Sequence, residues 1–436
     1  MEKILRQIRM YRGKSTLWLV QKITRLWFSR WRNQLILPFM RSGFFAAVFV
    51  GAKDARPNFA QIMFQRVLIA ALRSPRIMVP LFWRSMRVCV TYRCNLSCKA
   101  CYARGLQEEV GKSDISMENF TRLAAYCKDK GWRRIRFLGG EPTIHPKFIE
   151  MLDLCYKSGI EVSMPTNNLY SEEVAEKFDP QFVRDLAINY SAYCNVDAEK
   201  KARFRRNLNR LREKGIPFSF SYILEEAPNE EQMQALYADL KEYLPLYIRV
   251  SIELPAFSDH NATFIPAETR KFLFSRVYSM LENCAKAYVP FYMYRPVPLC
   301  LFSTDERLKM EKFSKFIFFT RCPLSYASKH GYGMMVTINP DLSTFPCASV
   351  FIKGPDIFSF KDRNAIHEFY SSKLQPVLTA PLSEVCKECD HHTKFVAAVS
   401  RADSMAPAKF DDKQICQGGC VNLRCHDPHP HECHQE

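Results

Sequence analysis

The stretch Met86-Arg87-Val88-Cys89-Val90-Thr91-Tyr92-Arg93-Cys94-Asn95-Leu96-Ser97-Cys98-Lys99-Ala100-Cys101-Tyr102 decides the fold. Its first residues form a short β-rich run, and directly after them three cysteines stand in a C-x-x-x-C-x-x-C spacing on a loop. Outward to about Glu253, runs of this kind alternate with helical segments, which is the signature of repeated βα units and a parallel sheet. Six strands are predicted, beginning near Met86, Arg133, Glu161, Leu186, Phe218 and Tyr247. The helices between them have readable ends, with Pro146 at a first turn and Gly159 or Gly215 after a last one. The pattern predicts an α/β fold, a partial (β/α)6 barrel, in which functional groups gather where strands end and loops begin.

Three thiolates on one short loop can surround one metal cluster. A four-iron cluster needs four ligands, so three cysteines leave one iron open to something else, as an open zinc site keeps a position for substrate. On spacing alone, zinc or coincidence stays open. The second predicted strand ends in Phe137-Leu138-Gly139-Gly140-Glu141-Pro142-Thr143, where paired glycines permit close backbone approach to a ligand and Glu141 offers an acceptor for an ammonium group. The third ends in Pro165-Thr166-Asn167-Asn168, so three consecutive strands carry polar groups at one rim.

These three motifs, in this order on these strands, resemble the signatures of the radical S-adenosylmethionine (SAM) superfamily over roughly residues 86 to 255. The resemblance implies that Cys94, Cys98 and Cys101 hold a 4Fe-4S cluster whose open iron chelates the amine and carboxylate of SAM. It also places Gly139, Gly140 and Glu141, with Thr166, Asn167 and Asn168, in the SAM site. The family commonly has an aromatic residue just before the third cysteine, whereas this chain has Ala100 there and Tyr102 just after, so Tyr102 is the candidate for adenine contact. The implied reaction is one-electron reduction of SAM to methionine and a 5′-deoxyadenosyl radical that abstracts hydrogen from an unactivated position. A barrel mouth closed by an extra domain would keep that radical from water.

The chain has 436 residues, 47% of them hydrophobic, which is enough for one large core with attachments and excludes a disordered or fibrous protein. The net charge of +17 is unevenly spread. Residues 1 to 87 hold 17 Lys and Arg against only Glu2 and Asp54, whereas the remaining 349 residues hold 45 basic and 43 acidic side chains. The basic character therefore belongs to an N-terminal attachment, and a nucleic-acid partner is not expected. Residues 14 to 32 read as an amphipathic helix, with Val20, Ile23, Trp27 and Trp31 on one face and Lys14, Lys22, Arg25 and Arg32 on another. Such a segment suits either an anionic membrane surface or a helical cap on the main domain. No secretory signal is evident, and the longest apolar stretch, Gly43 to Ala52, is about half the ~20 residues that a transmembrane helix needs.

Seventeen cysteines in tight clusters point to metal ligation in a reducing compartment rather than to disulfides. After residue 300 they recur as Cys322, Cys347, Cys386-x-x-Cys389, Cys416-Gln417-Gly418-Gly419-Cys420, Cys425 and Cys433, a spacing that fits zinc or iron-sulfur clusters. Beside a radical SAM core the region resembles a SPASM-type extension, a domain with up to two auxiliary four-iron clusters. That resemblance assigns Cys322, Cys347 and Cys420 to one cluster, and Cys386, Cys389 and Cys416 to the other with Cys425 or Cys433 as its last ligand. The family usually leaves five residues where 26 separate Cys389 from Cys416 here. The tail His426, His429, His431 and His434 reads as a solvated end, and Cys89, Cys127, Cys155, Cys194 and Cys284 as small apolar residues in the core.

The domains expected are a basic helical extension over 1–85, a radical SAM core over 86–300 and a SPASM-like auxiliary-cluster domain over 301–436. The leading expectation is an enzyme that modifies a peptide or protein, with a flavodoxin- or ferredoxin-type electron donor, in the cytoplasm or peripheral to the inner face of the membrane. The alternatives are a lipid or prenyl substrate at the membrane surface, and a non-catalytic zinc or iron-sulfur electron-transfer protein. The rim motifs at Gly139-Gly140-Glu141 and Thr166-Asn167-Asn168 argue against the last.

Overall fold

The computed structural model describes residues 85–379, apart from the stretches 225–229, 253–266, 294–301, 320–335 and 348–351 and a scatter of shorter gaps. The expected helix at 14–32, Tyr102, Cys322 and every cysteine from Cys386 onward lie outside the described residues. The chain opens with β1 (Ser85–Thr91), α1 (Met117–Asp129), β2 (Arg134–Gly139), a 3-10 turn (Pro142–Ile144), α2 (Phe148–Lys157), β3 (Glu161–Thr166) and α3 (Glu172–Lys177). It continues with β4 (Val183–Asn189), α4 (Tyr190–Cys194), α5 (Ala198–Lys214), β5 (Phe218–Leu224), α6 (Glu230–Tyr243), β6 (Ile248–Ile252), α7 (Ala267–Ala287) and β7 (Phe291–Met293). Then come α8 (Thr304–Glu311), β8 (Ile317–Phe319), β9 (Thr337–Ile338), β10 (Ser343–Phe345), β11 (Gly354–Asp356) and α9 (Arg363–Thr379).

The eleven strands among the described residues join one mixed sheet in the order β11-β10-β9-β1-β2-β3-β4-β5-β6-β7-β8. Strands β1 to β8 are parallel to their neighbours in sequence order, so the run of parallel strands extends two beyond the six predicted. Strand β9 pairs in parallel with the outer side of β1, and β10 and β11 continue from it antiparallel.

Local chemistry sets the helix ends. Ser116 accepts from Asn119 N at 3.1 Å before α1, and Asp197 accepts from Lys200 N at 2.8 Å before α5. Gly215 closes α5 at φ 69°, the left-handed geometry that lacks a Cβ penalty only in glycine. Pro146 stands before α2 rather than in its first turn, because Lys147, whose N–H donates to His145 Nδ1 at 3.0 Å, occupies the cap position.

Alternation along the strands divides the sheet's two faces. Val88, Phe137, Met164, Ile188, Phe220 and Val250 are fully buried in the main core. There Phe137 meets Phe120 of α1 and Phe148 of α2 edge-on at 5.5 and 5.9 Å. Alternate positions carry Arg87, Arg136, Ser163, Asp185, Ser221 and Arg249. Arg136 reaches Asp185 at 3.5 Å, Arg249 bonds Ser221 at 3.0 Å, and Arg134 grips Glu161 through two nitrogens at 3.1 and 2.6 Å. A parallel sheet that buried both faces under helices would be apolar on both. This one has an apolar face under its helices and a polar, charged one opposite.

Candidate active site at the carboxyl edge of the sheet

The cysteine loop leaves β1 at Thr91 and is closed at its neck. Thr91 Oγ1 donates to Asp114 Oδ1 at 2.5 Å and accepts Arg93 N at 3.0 Å, while the Arg93 guanidinium pairs with Asp114 at 2.7 Å. The returning limb adds Tyr92 N to Ser113 O at 3.0 Å, Ile115 N to Val90 O at 2.9 Å, and Gln107 Nε2 to Tyr92 O at 2.7 Å. On this loop Cys94 is exposed and Cys98 and Cys101 are half-buried. Although the Cys94 residue is exposed by surface area, the protein packed around its sulfur desolvates the thiolate, and this, with the negative charge of Glu141, Cys101 and Cys98, pushes the thiol up to about 11 against the opposing hydrogen bond from Leu96. Among the described residues no three Cys, His, Asp or Glu side chains gather as a site for one metal ion.

The paired glycines are required by the chain itself. Gly139 sits at φ 122°, and a Cβ there would lie 1.8 Å from Thr91 O; a Cβ on Gly140 would lie 2.0 Å from Arg93 O. That proximity allows Gly140 N to donate to Thr91 O at 2.8 Å and Glu141 N to Arg93 O at 2.9 Å. The backbone that the glycines admit is thus the root of the cysteine loop, which fixes Glu141 relative to Cys94.

Glu141 is 2% exposed, and its carboxylate joins two strand ends. Oε1 accepts from Thr143 N at 3.3 Å, Thr143 Oγ1 at 2.6 Å and Thr166 Oγ1 at 2.8 Å, and Oε2 accepts Asn167 N at 2.7 Å. Burial raises its pKa above the usual carboxylate value despite these four donors, because they are neutral groups. Asn167 Nδ2 donates to Asn95 Oδ1 at 2.6 Å, so the third strand also reaches the cysteine loop between Cys94 and Cys98. Asn168 turns the other way. At φ 63° it donates through Nδ2 to Phe204 O at 2.9 Å, on α5.

The structure therefore ties Gly139, Gly140, Glu141, Thr166 and Asn167 to the root of the loop that bears Cys94, Cys98 and Cys101, and directs the Asn168 side chain toward α5 instead. Cys347 lies just after β10, half-buried against the main core. Cys89, Cys127, Cys155, Cys194 and Cys284 are buried, and burial raises the thiols of Cys89 and Cys127 to about 12. His145 is also buried, with Nδ1 accepting Lys147 N and Nε2 donating to Ile115 O at 3.0 Å, an arrangement that suits the neutral ring and agrees with a lowered pKa caused first by burial. Sequence reading missed Asn95, Asp114 and Thr143. Asn95 and Thr143 lie inside the motifs, where a polar residue one or two positions from a key residue was the available signal.

A profile of the radical SAM superfamily matches residues 88–240. Curated relatives include the probable GTP 3′,8-cyclase of Methanopyrus kandleri, 35% identical over 97 residues, or 21% of this chain and 31% of that protein. The GTP 3′,8-cyclase of Campylobacter fetus is 34% identical over 122 residues, 27% of this chain and 38% of that protein. The chain thus spans about a third of the length of these relatives. Among solved structures, Streptococcus suis SuiB bound to S-adenosylmethionine is similar with TM-score 0.48 and 12% identity, covering 86% of this chain and 87% of that one. The stretch 88–240 that matches the superfamily carries the cysteine loop, Gly139-Gly140-Glu141 and Thr166-Asn167, and members of that superfamily bind a 4Fe-4S cluster and S-adenosylmethionine.

Proposed function

We propose that this chain is a radical SAM enzyme that reductively cleaves SAM and abstracts hydrogen from a peptide or protein substrate, with auxiliary 4Fe-4S clusters on its C-terminal cysteines. The observation that carries the reading is the meeting of three rim motifs at one edge, each bonded to the next through Arg93 O, Glu141 and Asn167. The thiols of Cys94, Cys98 and Cys101 fit such a cluster: they share one closed loop, and each thiolate of a four-iron cluster meets its own iron rather than one common ion. When bound, the cluster supplies the electron that splits SAM into methionine and a 5′-deoxyadenosyl radical.

The chain's own part is to hold and orient. Three of the four donors to Glu141 converge on Oε1, so Oε2 retains acceptor capacity for the ammonium of SAM. Gly139 and Gly140 fix that carboxylate against the cysteine loop before anything binds, and Tyr102 is assigned to the adenine. Asn168 shapes the turn beside them. In this reading β1 to β6 form the partial (β/α)6 barrel, with the polar face of Arg136, Ser163, Asp185, Ser221 and Arg249 turned inward toward the substrate. Residues 1–85 are the extension, 86–300 the core and 301–436 the auxiliary-cluster domain. Cys322, Cys347 and Cys420 serve one auxiliary cluster, and Cys386, Cys389 and Cys416, with Cys425 or Cys433, serve the other. A flavodoxin- or ferredoxin-type protein supplies electrons.

A peptide substrate is supported by the C-terminal cysteine pattern. A second reading, a nucleotide substrate, is favoured by the activity named for the curated relatives. Anaerobically reconstituted protein with dithionite and SAM tests both. The expected result is 5′-deoxyadenosine from the wild type and none from Cys94→Ala. A cyclised product formed from added GTP would replace the peptide reading with the nucleotide one, and protein that binds only zinc would end both.

A further inference from the structure

We propose that Tyr92 is a positioning residue for the cysteine loop and that Asn339 holds it in place, so that the loop bearing Cys94, Cys98 and Cys101 takes its shape from a hairpin 247 residues further along the chain. The proposal rests on the reading of those cysteines as cluster ligands. Tyr92 stands two residues before Cys94, is fully buried, and donates its hydroxyl hydrogen to Asn339 Oδ1 at 2.7 Å. The direction of that bond is set from its far side. Asn339 Nδ2 donates to Ser343 Oγ at 2.9 Å, and Ser343 Oγ donates in turn to Asp341 Oδ1 at 2.6 Å. An ionised carboxylate only accepts, so the series runs one way and the Asn339 amide turns its oxygen to Tyr92. Asn339 N also donates to Ser343 O at 2.8 Å, which closes the turn between β9 and β10. Because β9 lies in parallel register against β1, Arg87 with Thr337 and Val88 with Ile338, this turn is carried alongside the strand that launches the loop.

The same hairpin reaches the other limb of the loop. Phe345 of β10 packs in a small apolar cluster with Cys89, Tyr92 and Leu106. Tyr92 precedes the three cysteines and Leu106 follows them, so this cluster joins the incoming and outgoing limbs beside the bond from Gln107 Nε2 to Tyr92 O. A buried hydroxyl directed at Asn339, with Cys89 also in its reach, and a ring clamped between two limbs define where the loop begins and ends. Tyr92 acts through the cysteines, and neither it nor Asn339 is assigned a contact with SAM.

Tyr92→Phe keeps the ring in its cluster and deletes the hydroxyl, and Asn339→Ala deletes the acceptor. Three measurements on the full chain test the pair: hydrogen exchange of amides 92–107 in cluster-free protein, SAM affinity of reconstituted protein, and the electron paramagnetic resonance spectrum of the reduced cluster with and without SAM. Each single variant is expected to speed exchange in the loop, alter the SAM-dependent spectrum and weaken SAM binding about three- to tenfold, the factor that one buried neutral hydrogen bond carries. The double variant should lose clearly less than the product of the two single effects, because both singles remove the same Tyr92–Asn339 bond, while Asn339→Ala also removes the bond to Ser343 and Tyr92→Phe the one with Cys89. Should Asn339→Ala fail to fold, Ser343→Ala, which frees the amide to rotate, should move the same readouts in the same direction. Unchanged exchange, affinity and spectrum in Tyr92→Phe, or effects that multiply in the double variant, would make Tyr92 an ordinary packed tyrosine and overturn the proposal alone. A wild-type chain that takes up no iron-sulfur cluster overturns the ligand assignment, and the proposal falls with it.

Discussion

Glu141 Oε2 accepts the backbone N–H of Asn167 at 2.7 Å, so one buried carboxylate ties the end of the second strand to the end of the third. The carboxylate takes four hydrogen bonds from neutral donors, and its pKa lies above the ordinary range because burial outweighs them. A carboxyl whose folded pKa is raised stabilises the fold most when protonated, and that contribution is lost as pH rises through the folded value. The stability of the wild type relative to Glu141→Gln should therefore increase as pH falls from 7 toward the usual carboxylate range. Thermal melts of both proteins across that range check this, and a difference that stays flat with pH would remove the burial argument.

Gly139 and Gly140 should tolerate no side chain. A methyl at either must displace the backbone oxygen of Thr91 or Arg93, so Gly139→Ala and Gly140→Ala are expected to cost more than about 3 kcal/mol, in the range seen only for severe steric or strain effects. Gly159→Ala is the internal control, because Gly159 has φ 66° but nothing within 4 Å of a Cβ. Its cost should be that of left-handed strain alone, about 1 kcal/mol. Chemical denaturation of the three variants gives the comparison.

Replacing Cys386 and Cys389 together by Ala should remove about one cluster's worth of iron and leave SAM cleavage at the Cys94, Cys98 and Cys101 site intact, since each cluster is held by its own thiolates. Product formation on the substrate should fall. Iron and sulfide analysis beside a 5′-deoxyadenosine assay separates the two effects, and an unaltered iron count would mean that this pair ligates nothing.

The N-terminal +15 should draw the full chain to anionic vesicles, with binding that weakens as salt screens the surface. Trp27→Ala with Trp31→Ala should reduce binding at high salt as well, whereas Lys22→Ala with Arg25→Ala should matter mainly at low salt. Vesicle cosedimentation reads both. Protein that stays in the supernatant at low salt favours the helical-cap reading and withdraws the support for a lipid substrate. Among the described residues no helix is long and apolar enough to cross a membrane.

The start of a strand was readable where a β-rich run meets a polar loop, and Glu161 and Phe218 begin β3 and β5 as expected. The fourth strand begins at Val183 rather than near Leu186, because Arg184 and Asp185 break the apolar run while a register irregularity beside Ser163 accommodates them. Strands β7 to β11 have two or three residues each, too few for any periodicity to register. At the site, the residue types were legible but their partners were not. Sequence suggested that Gly139 and Gly140 make room for a ligand; the structure gives that room to the carbonyls of Thr91 and Arg93. Asn339 carried no local signal, since its meaning depends on a fold that returns a distant hairpin to β1.

The pairing of β9 with β1 also has a consequence in time. The strand that launches the cysteine loop is made early, yet its outer neighbour, Thr337–Ile338, emerges from the ribosome about 250 residues later, which is roughly 12 to 50 s at ordinary rates of synthesis. Until then one edge of β1 lacks the strand that covers it in the finished sheet, and Tyr92 lacks Asn339. Long-range pairing of this kind makes folding slow. The nascent chain thus spends more than half of its synthesis with the cysteine loop not yet braced by the hairpin that holds Tyr92 in the finished fold.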